Sequence, residues 1–223
     1  MAKQQRARRT RRAIIDSAAS LFERDGYAGT GIDGIATAAG MTKGAVYFHF
    51  PTKRDIATAV LAECDSSVEG IISMLSACDL PPLQVLIDAS HVLTHRICHD
   101  VCTRASITLC LERGTPLPAV PTGPMTWPDD IRKLLRQAAE RREFREGVTV
   151  EAATALVLSA GAGVELLTSL RGRRLSPHMV TAMWRLLLPG LIPTNACRRL
   201  RAEGSPSVLY CLQTLPLASG TVS

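Results

Sequence analysis

Apolar residues recur at helical spacing along nearly the whole chain. Near the N-terminus, Ile14, Ala18, Leu21 and Phe22 fall on one side of a helix, and Gly26 is suited to end it. A sustained alternation of apolar and polar residues, which would predict strands, is missing from the sequence. The pattern therefore predicts an all-α protein.

Two short helices are predicted next. Thr30 is a suitable N-cap for the first, with Asp33 three residues on as its capping-box partner, and Gly40 ends it. Thr42 caps the second, and Pro51 prevents its continuation. The turn of about three residues around Gly40 gives this pair the spacing of a helix-turn-helix.

Longer helices are predicted in the remainder of the chain. A loop rich in Pro and Gly, "GTPLPAVPTGPMTWP", interrupts them, and the tail 201–223 has no clear helical period, which is compatible with disorder. The predicted helices are 53–78, 82–99, 101–113, 129–145, 151–170 and 176–191.

The positive charge lies almost wholly at the N-terminal end. The formal net charge is +6, and residues 1–54 carry ten Lys or Arg against four acidic residues, which accounts for all of it. Such asymmetry is typical of a module that meets a polyanion. A solvated basic face would explain the charge alone equally well, so the helix-turn-helix spacing is needed to favour DNA.

The second helix of such a pair enters the DNA major groove with its N-terminal residues toward the base edges. Thr42 and Lys43 lie at that end, and Lys43 is long enough to reach guanine. Gly44 permits close approach of the backbone, while Tyr47 and His49 are suited to phosphate oxygens.

Two further residues are placed to hold the DNA strand on either side of this helix. Thr30 begins the preceding helix, and Lys53 begins the following one. The rings of Phe22, Phe48 and Phe50 are expected in the apolar core of the module.

The run from Ala18 to Ile56, with its "TKGAVYFHFPTKRDI" ending, resembles the DNA-binding domain of the TetR family of transcriptional repressors. The amino-acid sequence of this region is similar in particular to that of the gamma-butyrolactone receptor branch. The resemblance implies a base contact by Lys43, close approach at Thr42 and Gly44, and phosphate contacts by the four other residues: Thr30, Tyr47, His49 and Lys53. It also implies a homodimer that binds a double-stranded DNA operator, is released by a small-molecule effector and controls secondary metabolism.

The domains expected from this resemblance are a DNA-binding domain (1–52), a ligand-binding and dimerisation domain (53–200) and the tail (201–223). The helices at 151–170 and 176–191 are apolar over most of their surface, as a dimer interface would require. Burial inside one monomer would require the same pattern. In the resembling branch a tryptophan near the Pro-rich loop lines the ligand pocket, which points to Trp127, whereas Trp184 is expected to serve packing.

One feature departs from the receptors for the lactone signal. The isoelectric point of about 9.2 is closer to that of basic pseudo-receptors, which respond to antibiotics or intermediates. The effector class therefore stays open among gamma-butyrolactone-like, furan and antibiotic-type molecules.

A metal- or thiol-responsive regulator is the alternative. His91, His95 and His99 share one helix face, and Cys98, Cys102 and Cys110 are near in sequence. Three ligands spread along about 12 Å of one helix cannot surround a single ion, and no HExxH motif accompanies them. A metal-dependent enzyme is less favoured still, so we predict neither enzymatic activity nor a cofactor.

The compartment follows from what the sequence lacks. Seven cysteines without disulfide-scaffold spacing predict reduced thiols. No signal-peptide pattern or stretch long enough to span a bilayer is present, so we predict a cytoplasmic protein without membrane association.

Overall fold

A computed structural model describes residues 2–112, 127–170 and 175–208, and within these ranges the chain forms helices without strands. The predicted all-α class is therefore confirmed. The helices are α1 (Ala2–Gly29), α2 (Ile32–Ala38), α3 (Lys43–His49), α4 (Lys53–Ser76), α5 (Pro82–His99), α6 (Val101–Leu111), α7 (Trp127–Glu140), α8 (Val150–Leu170), α9 (Pro177–Leu191) and α10 (Thr194–Cys197).

The contacts divide the chain into two compact units. The first contains the described residues 2–67 and 99–112, and the second contains 68–98, 127–170 and 175–208. The first part of α4 and all of α6 thus belong with the N-terminal helices. A functional boundary after residue 52 stays a prediction, because the edges of the units fall elsewhere.

Helix α1 packs along α6 and also contacts α2, which packs on α3. Their apolar faces form one core, in which Ile14, Phe22 and Ile35 are fully buried beside Val46 of α3. Gly26 interrupts α1 with a positive φ of 72°, a conformation that glycine adopts at little cost. The predicted end of the first helix is therefore seen as a break, after which one more helical turn follows.

The predicted caps of the two short helices fare differently. The Thr42 hydroxyl accepts the Ala45 N–H at 3.2 Å, which confirms Thr42 as the N-cap of α3. The capping box at Thr30 and Asp33 is wrong, because Gly31 is the N-cap of α2 and no side chain caps it. Thr30 instead donates its hydroxyl to the Gly26 carbonyl at 2.7 Å.

In the second unit, α8 packs against α7 and α9. The core contains Leu83 and Ile87 of α5, Leu135 of α7 and Trp184 of α9, each almost completely buried. The indole Nε1–H of Trp184 donates to Ser90 Oγ at 2.8 Å, so this large ring is fixed to α5 as well as packed.

The part of the C-terminal tail that the structure describes is packed rather than disordered. The buried Asp88 carboxylate on α5 accepts hydrogen bonds from the Ser205 backbone N–H at 2.9 Å and from the Ser205 hydroxyl. It also accepts the Gln84 side-chain amide at 2.8 Å, and His91 Nε2 lies 2.8 Å from the Ala202 carbonyl. The prediction of disorder is therefore wrong for 201–208, while 209–223 and most of the predicted Pro-rich loop lie outside the described residues.

We predict that Asp88→Ala will destabilise the protein. The substitution leaves the donors of Ser205 and Gln84 unpaired in the interior, which should lower the free energy of unfolding by about 1 to 3 kcal/mol. Urea unfolding followed by circular dichroism will measure the change. As a control, Glu203→Ala should change stability by less than about 0.5 kcal/mol, because Glu203 is exposed and its partner Arg185 is 3.8 Å away. Equal effects of the two substitutions would contradict the structural role of Asp88.

Candidate nucleic-acid interface and effector cavity

Helix α3 carries most of the predicted DNA-contacting residues. Val46 anchors it in the core, while Thr42, Lys43 and Gly44 are exposed at its N-terminal end. A Cβ placed on Gly44 would meet no atom within 4 Å, so nothing in the first unit covers this position. The three residues therefore form an open surface at the start of the helix, as a major-groove reader requires.

Lys43 is held beside the adjoining helix. Its Nζ lies 2.9 Å from a carboxylate oxygen of Asp33 on α2. The hydrogen bond to Asp33 raises the pKa of Lys43 above its ordinary value. Both side chains are largely exposed, so the pair is weak and exchangeable. The ammonium can therefore turn from Asp33 to a DNA acceptor at little cost.

The aromatic block on α3 divides differently from the prediction. Phe22 and Phe50 are buried, as predicted, but the side chain of Phe48 is 84% exposed. Its ring meets the half-buried His49 edge-on at 5.3 Å, and Tyr47 is 45% exposed. The assignment of Phe48 to the core is thus wrong, and the ring adds an apolar element to the exposed face of the helix.

Thr30 and Lys53 are predicted to contact phosphates. In the structure their side chains bind groups inside the first unit instead. Thr30 is only 3% exposed and its hydroxyl is donated to Gly26, so its side chain does not face outward. Lys53 donates to the carbonyls of Tyr27 at 2.7 Å and Thr30 at 2.8 Å, and its Nζ lies 4.3 Å from the centre of the Tyr27 ring. Two of its three N–H groups are therefore used to hold the turn before α2.

The basic N-terminal segment is part of α1. Arg6, Arg8, Arg9 and Arg11 are exposed along it, and the Arg11 guanidinium lies 4.9 Å from the centre of the Phe50 ring. Arg12 is different. It pairs with Asp16 at 2.9 Å and with Glu63 of α4 at 2.8 Å, so it links helices of the first unit rather than extending the exposed basic surface.

The second unit contains an apolar cavity of about 240 Å³. Residues from α4, α5, α7, α8 and α9 line it, among them Leu93 and Ile97 of α5 and Val157 of α8. Ligand pockets are typically apolar spaces of this kind with a few polar groups. The cavity is therefore the candidate effector site.

Polar side chains on the cavity wall are already paired with one another or with the backbone. Ser90 donates its hydroxyl to the Ile87 carbonyl at 2.6 Å and accepts the Trp184 N–H, while Thr94 donates to the Ser90 carbonyl at 2.8 Å. Their oxygens keep acceptor capacity, because a hydroxyl oxygen has two lone pairs. Among the described lining side chains, the wall thus offers acceptors in an otherwise apolar space.

The structure describes the side chain of only one of the two tryptophans. Trp127 begins α7, and its side chain lies outside the described residues, so its place in the pocket stays a prediction. Trp184, expected only to pack, lines the cavity as well as filling the core. The local sequence around Trp184 is that of a helix apolar over most of its surface and carries no signal that separates the two roles.

The metal- or thiol-responsive alternative finds little support. Within the described ranges, no group of three or more His, Cys, Asp or Glu is arranged to hold a metal ion. His91 is buried against the Ala202 carbonyl, and burial raises the pKa of the Cys102 thiol to about 12, which makes it unreactive near neutral pH.

No helix in the described part of the chain is long and apolar enough to cross a membrane.

Comparison with known proteins identifies the chain. Residues 14–60 match the sequence model for bacterial regulatory proteins of the tetR family. The A-factor receptor protein of Streptomyces griseus is 33% identical over 208 residues, which cover 92% of this chain and 71% of that protein. The chain belongs to the TetR family. It is a DNA-binding transcriptional regulator, and its resemblance to the gamma-butyrolactone receptor branch is confirmed.

Solved structures agree with this placement of the TetR-family chain. A gamma-butyrolactone receptor described as an ArpA-like protein is 25% identical, with a TM-score of 0.78, and covers 93% of this chain and 98% of that one. CprB from Streptomyces coelicolor, solved in complex with its operator sequence, is 27% identical, with a TM-score of 0.74, and covers 87% and 94%. Similarity therefore extends through both units, and the known relatives are regulators rather than enzymes.

The exposure of Phe48 gives the TetR-family regulator a testable property. Phe48→Ala should leave the free energy of unfolding within about 0.5 kcal/mol of the original but weaken binding to duplex DNA, because its ring lies on the exposed face of α3. Phe50→Ala is the matched control and should cost about 3 to 5 kcal/mol, since Phe50 is buried. Chemical unfolding and fluorescence anisotropy with labelled DNA will measure both. A large loss of stability in Phe48→Ala would contradict the exposed position of the ring and indicate that it packs in the core.

Proposed function

We propose that this regulator acts as a homodimeric repressor, which binds a two-fold DNA operator and leaves it when a small apolar effector fills the cavity. The observation that carries the proposal is the division of features between the two units. The first exposes a basic surface and a recognition helix, and the second contains the apolar cavity. Such a protein acts in the cytoplasm, where the DNA is.

On the DNA side, the proposed base contact is Lys43, which exchanges Asp33 for a guanine acceptor. Thr42 and Gly44 allow close approach, and Tyr47 and His49 supply donors for phosphates. The structure supports outward positions for the first four, whereas His49 is half-buried. Thr30 is omitted because it is buried.

Lys53 contributes differently from the predicted clamp. Its two hydrogen bonds to the turn before α2 give it a positioning role. A phosphate contact through the remaining N–H stays a prediction, because the ammonium also lies over the Tyr27 ring.

The proposed dimer forms through α8 and α9. Leu156 and Leu166 of α8 and Met179 and Leu186 of α9 expose 38 to 82% of their surface, and exposed apolar side chains of this size on two neighbouring helices favour an interface. Gly161, also exposed, would let a second helix approach closely. A second copy related by a two-fold axis would cover these residues and set the distance between the two recognition helices.

On the effector side, the cavity favours an apolar molecule with at least one hydroxyl or amide donor. Ser90 and Thr94 can accept such a bond, but their own protons are already used. The receptors to which the chain is similar make a gamma-butyrolactone-like molecule the first class to test, and the basic isoelectric point keeps furans and antibiotic-type molecules in the set. The ligand acts through its different affinities for the DNA-bound and released conformations.

Selection from a random duplex pool tests the DNA side. The wild-type protein should enrich an inverted repeat whose half-sites lie on one face of the helix, because each protomer presents one α3. Lys43→Ala should lose about 1 to 3 kcal/mol of binding to the enriched duplex and tolerate base changes at one position. Enrichment of a single half-site would contradict the dimer, and unchanged base preference in the variant would contradict the reading role of Lys43.

Filling the cavity tests the effector side. Ala89 lines it, so Ala89→Leu should occupy part of the space and abolish release from DNA by candidate lactones, furans or antibiotics, with DNA binding unchanged. Trp127→Ala should give the same result if its ring reaches the pocket. Ala77→Leu is the control, because Ala77 is exposed and is not among the cavity residues. Normal release in the Ala89 variant, measured by gel shift with the effector that displaces wild type, would place the site elsewhere.

A further inference from the structure

The break at Gly26 leaves backbone groups that α1 cannot pair by itself. A helix that restarts after a non-helical residue has N–H groups without partners in the preceding turn. Here the restarted turn comprises the last residues of α1, and its first N–H groups belong to Tyr27 and Ala28. Some other part of the chain must accept them.

The acceptor is Glu112, the residue directly after α6. One of its carboxylate oxygens accepts the Tyr27 N–H at 2.6 Å, and the other accepts the Ala28 N–H at 3.0 Å. The carboxylate is therefore a bidentate cap contributed from 84 to 85 residues away in sequence. A negative charge at this place also stabilises the turn, because the N-terminus of a helical segment carries a partial positive charge.

The other end of the same turn is closed by Lys53. Its ammonium group donates hydrogen bonds to the carbonyls of Tyr27 and Thr30. A cation is favourable there because the C-terminal end of a helical segment carries a partial negative charge. The Thr30 hydroxyl meanwhile pairs with the carbonyl of Gly26. An acid directly after α6 and a base from α4 thus fix the two ends of a turn that runs directly into α2.

We propose that Glu112 is a positioning residue for DNA binding: by capping the turn after Gly26 it sets the orientation of α2, and through α2 that of α3. Helix α2 begins two residues beyond Thr30 and packs on α3, so a change in the direction of the turn changes the direction of both. The inference rests on the proposed DNA-binding function and adds to it a residue outside the helix-turn-helix.

Glu112→Gln tests the proposal with little change of shape. The amide oxygen can take the place of only one of the two carboxylate oxygens, and the NH₂ group in the other place would face a second donor. Binding to the duplex enriched by wild type should weaken about tenfold, which corresponds to about 1.4 kcal/mol. Binding to a scrambled duplex should change less than twofold. The direction of the change in affinity is informative, because removing a negative charge would by itself strengthen the attraction to DNA.

Glu23→Gln is the matched control. Glu23 of α1 pairs with Arg104 of α6 at 2.5 Å, so this variant removes the same charge and a link between the same two helices without touching the turn. It should bind the enriched duplex within twofold of wild type. Gly26→Ala approaches the contact from the other side, since its Cβ would lie 3.1 Å from a Glu112 oxygen at a φ that disfavours side chains. Gly26→Ala should weaken binding to the enriched duplex as Glu112→Gln does. It replaces Glu112→Gln in the test if that variant does not fold.

Fluorescence anisotropy with both duplexes, at a temperature where circular dichroism shows each variant folded, separates the outcomes. Wild-type affinity in Glu112→Gln, or an equal loss in Glu23→Gln, would overturn the positioning role and leave the proposed function intact. A wild-type protein that enriches no duplex would overturn the proposed function itself, and this inference with it.

Discussion

Helix α1 lies along α6, and the apolar residues between them, such as Phe22 and Leu109, continue into the core beneath α2 and α3. Both short helices have seven residues, which is too few for stability in isolation. Their positions are therefore determined by what they pack on. Val46 and Ile35 are the residues through which the core holds them, and the exposed side of α3 carries the groups proposed to meet DNA.

Local signals explain why the helix-turn-helix could be predicted from sequence. Thr42 caps α3 and Gly40 adopts a positive φ of 65°, and both effects depend on neighbouring residues alone. The assignments that failed depend on tertiary contacts. Phe48 looked like a core ring because it is aromatic, but the core lies on the other side of α3. Thr30 looked like a cap, which would accept a backbone N–H, yet Gly31 is the N-cap of α2 and the Thr30 hydroxyl donates to the Gly26 carbonyl.

The candidate effector site was only partly accessible to sequence reasoning. Residues from five helices between α4 and α9 line the cavity, so no single stretch of sequence could predict it. Resemblance directed attention to Trp127, and the structure adds Trp184 through its bond to Ser90. The tail shows the same limit, because 201–208 has no helical period and is held instead by Asp88 and Gln84 of α5.

The pairing of Ser90, Thr94 and Trp184 has a consequence for how such a pocket evolves. A binding site that depends on unpaired donors rejects any molecule that leaves them unsatisfied. In this cavity the described donors are satisfied before a ligand arrives, so an apolar newcomer incurs no such penalty. Discrimination then comes mainly from shape, and exchanging one aliphatic wall residue for another can retune it without leaving a buried polar group unpaired. A pocket built in this way can pass from one signal molecule to another through intermediates that still fold.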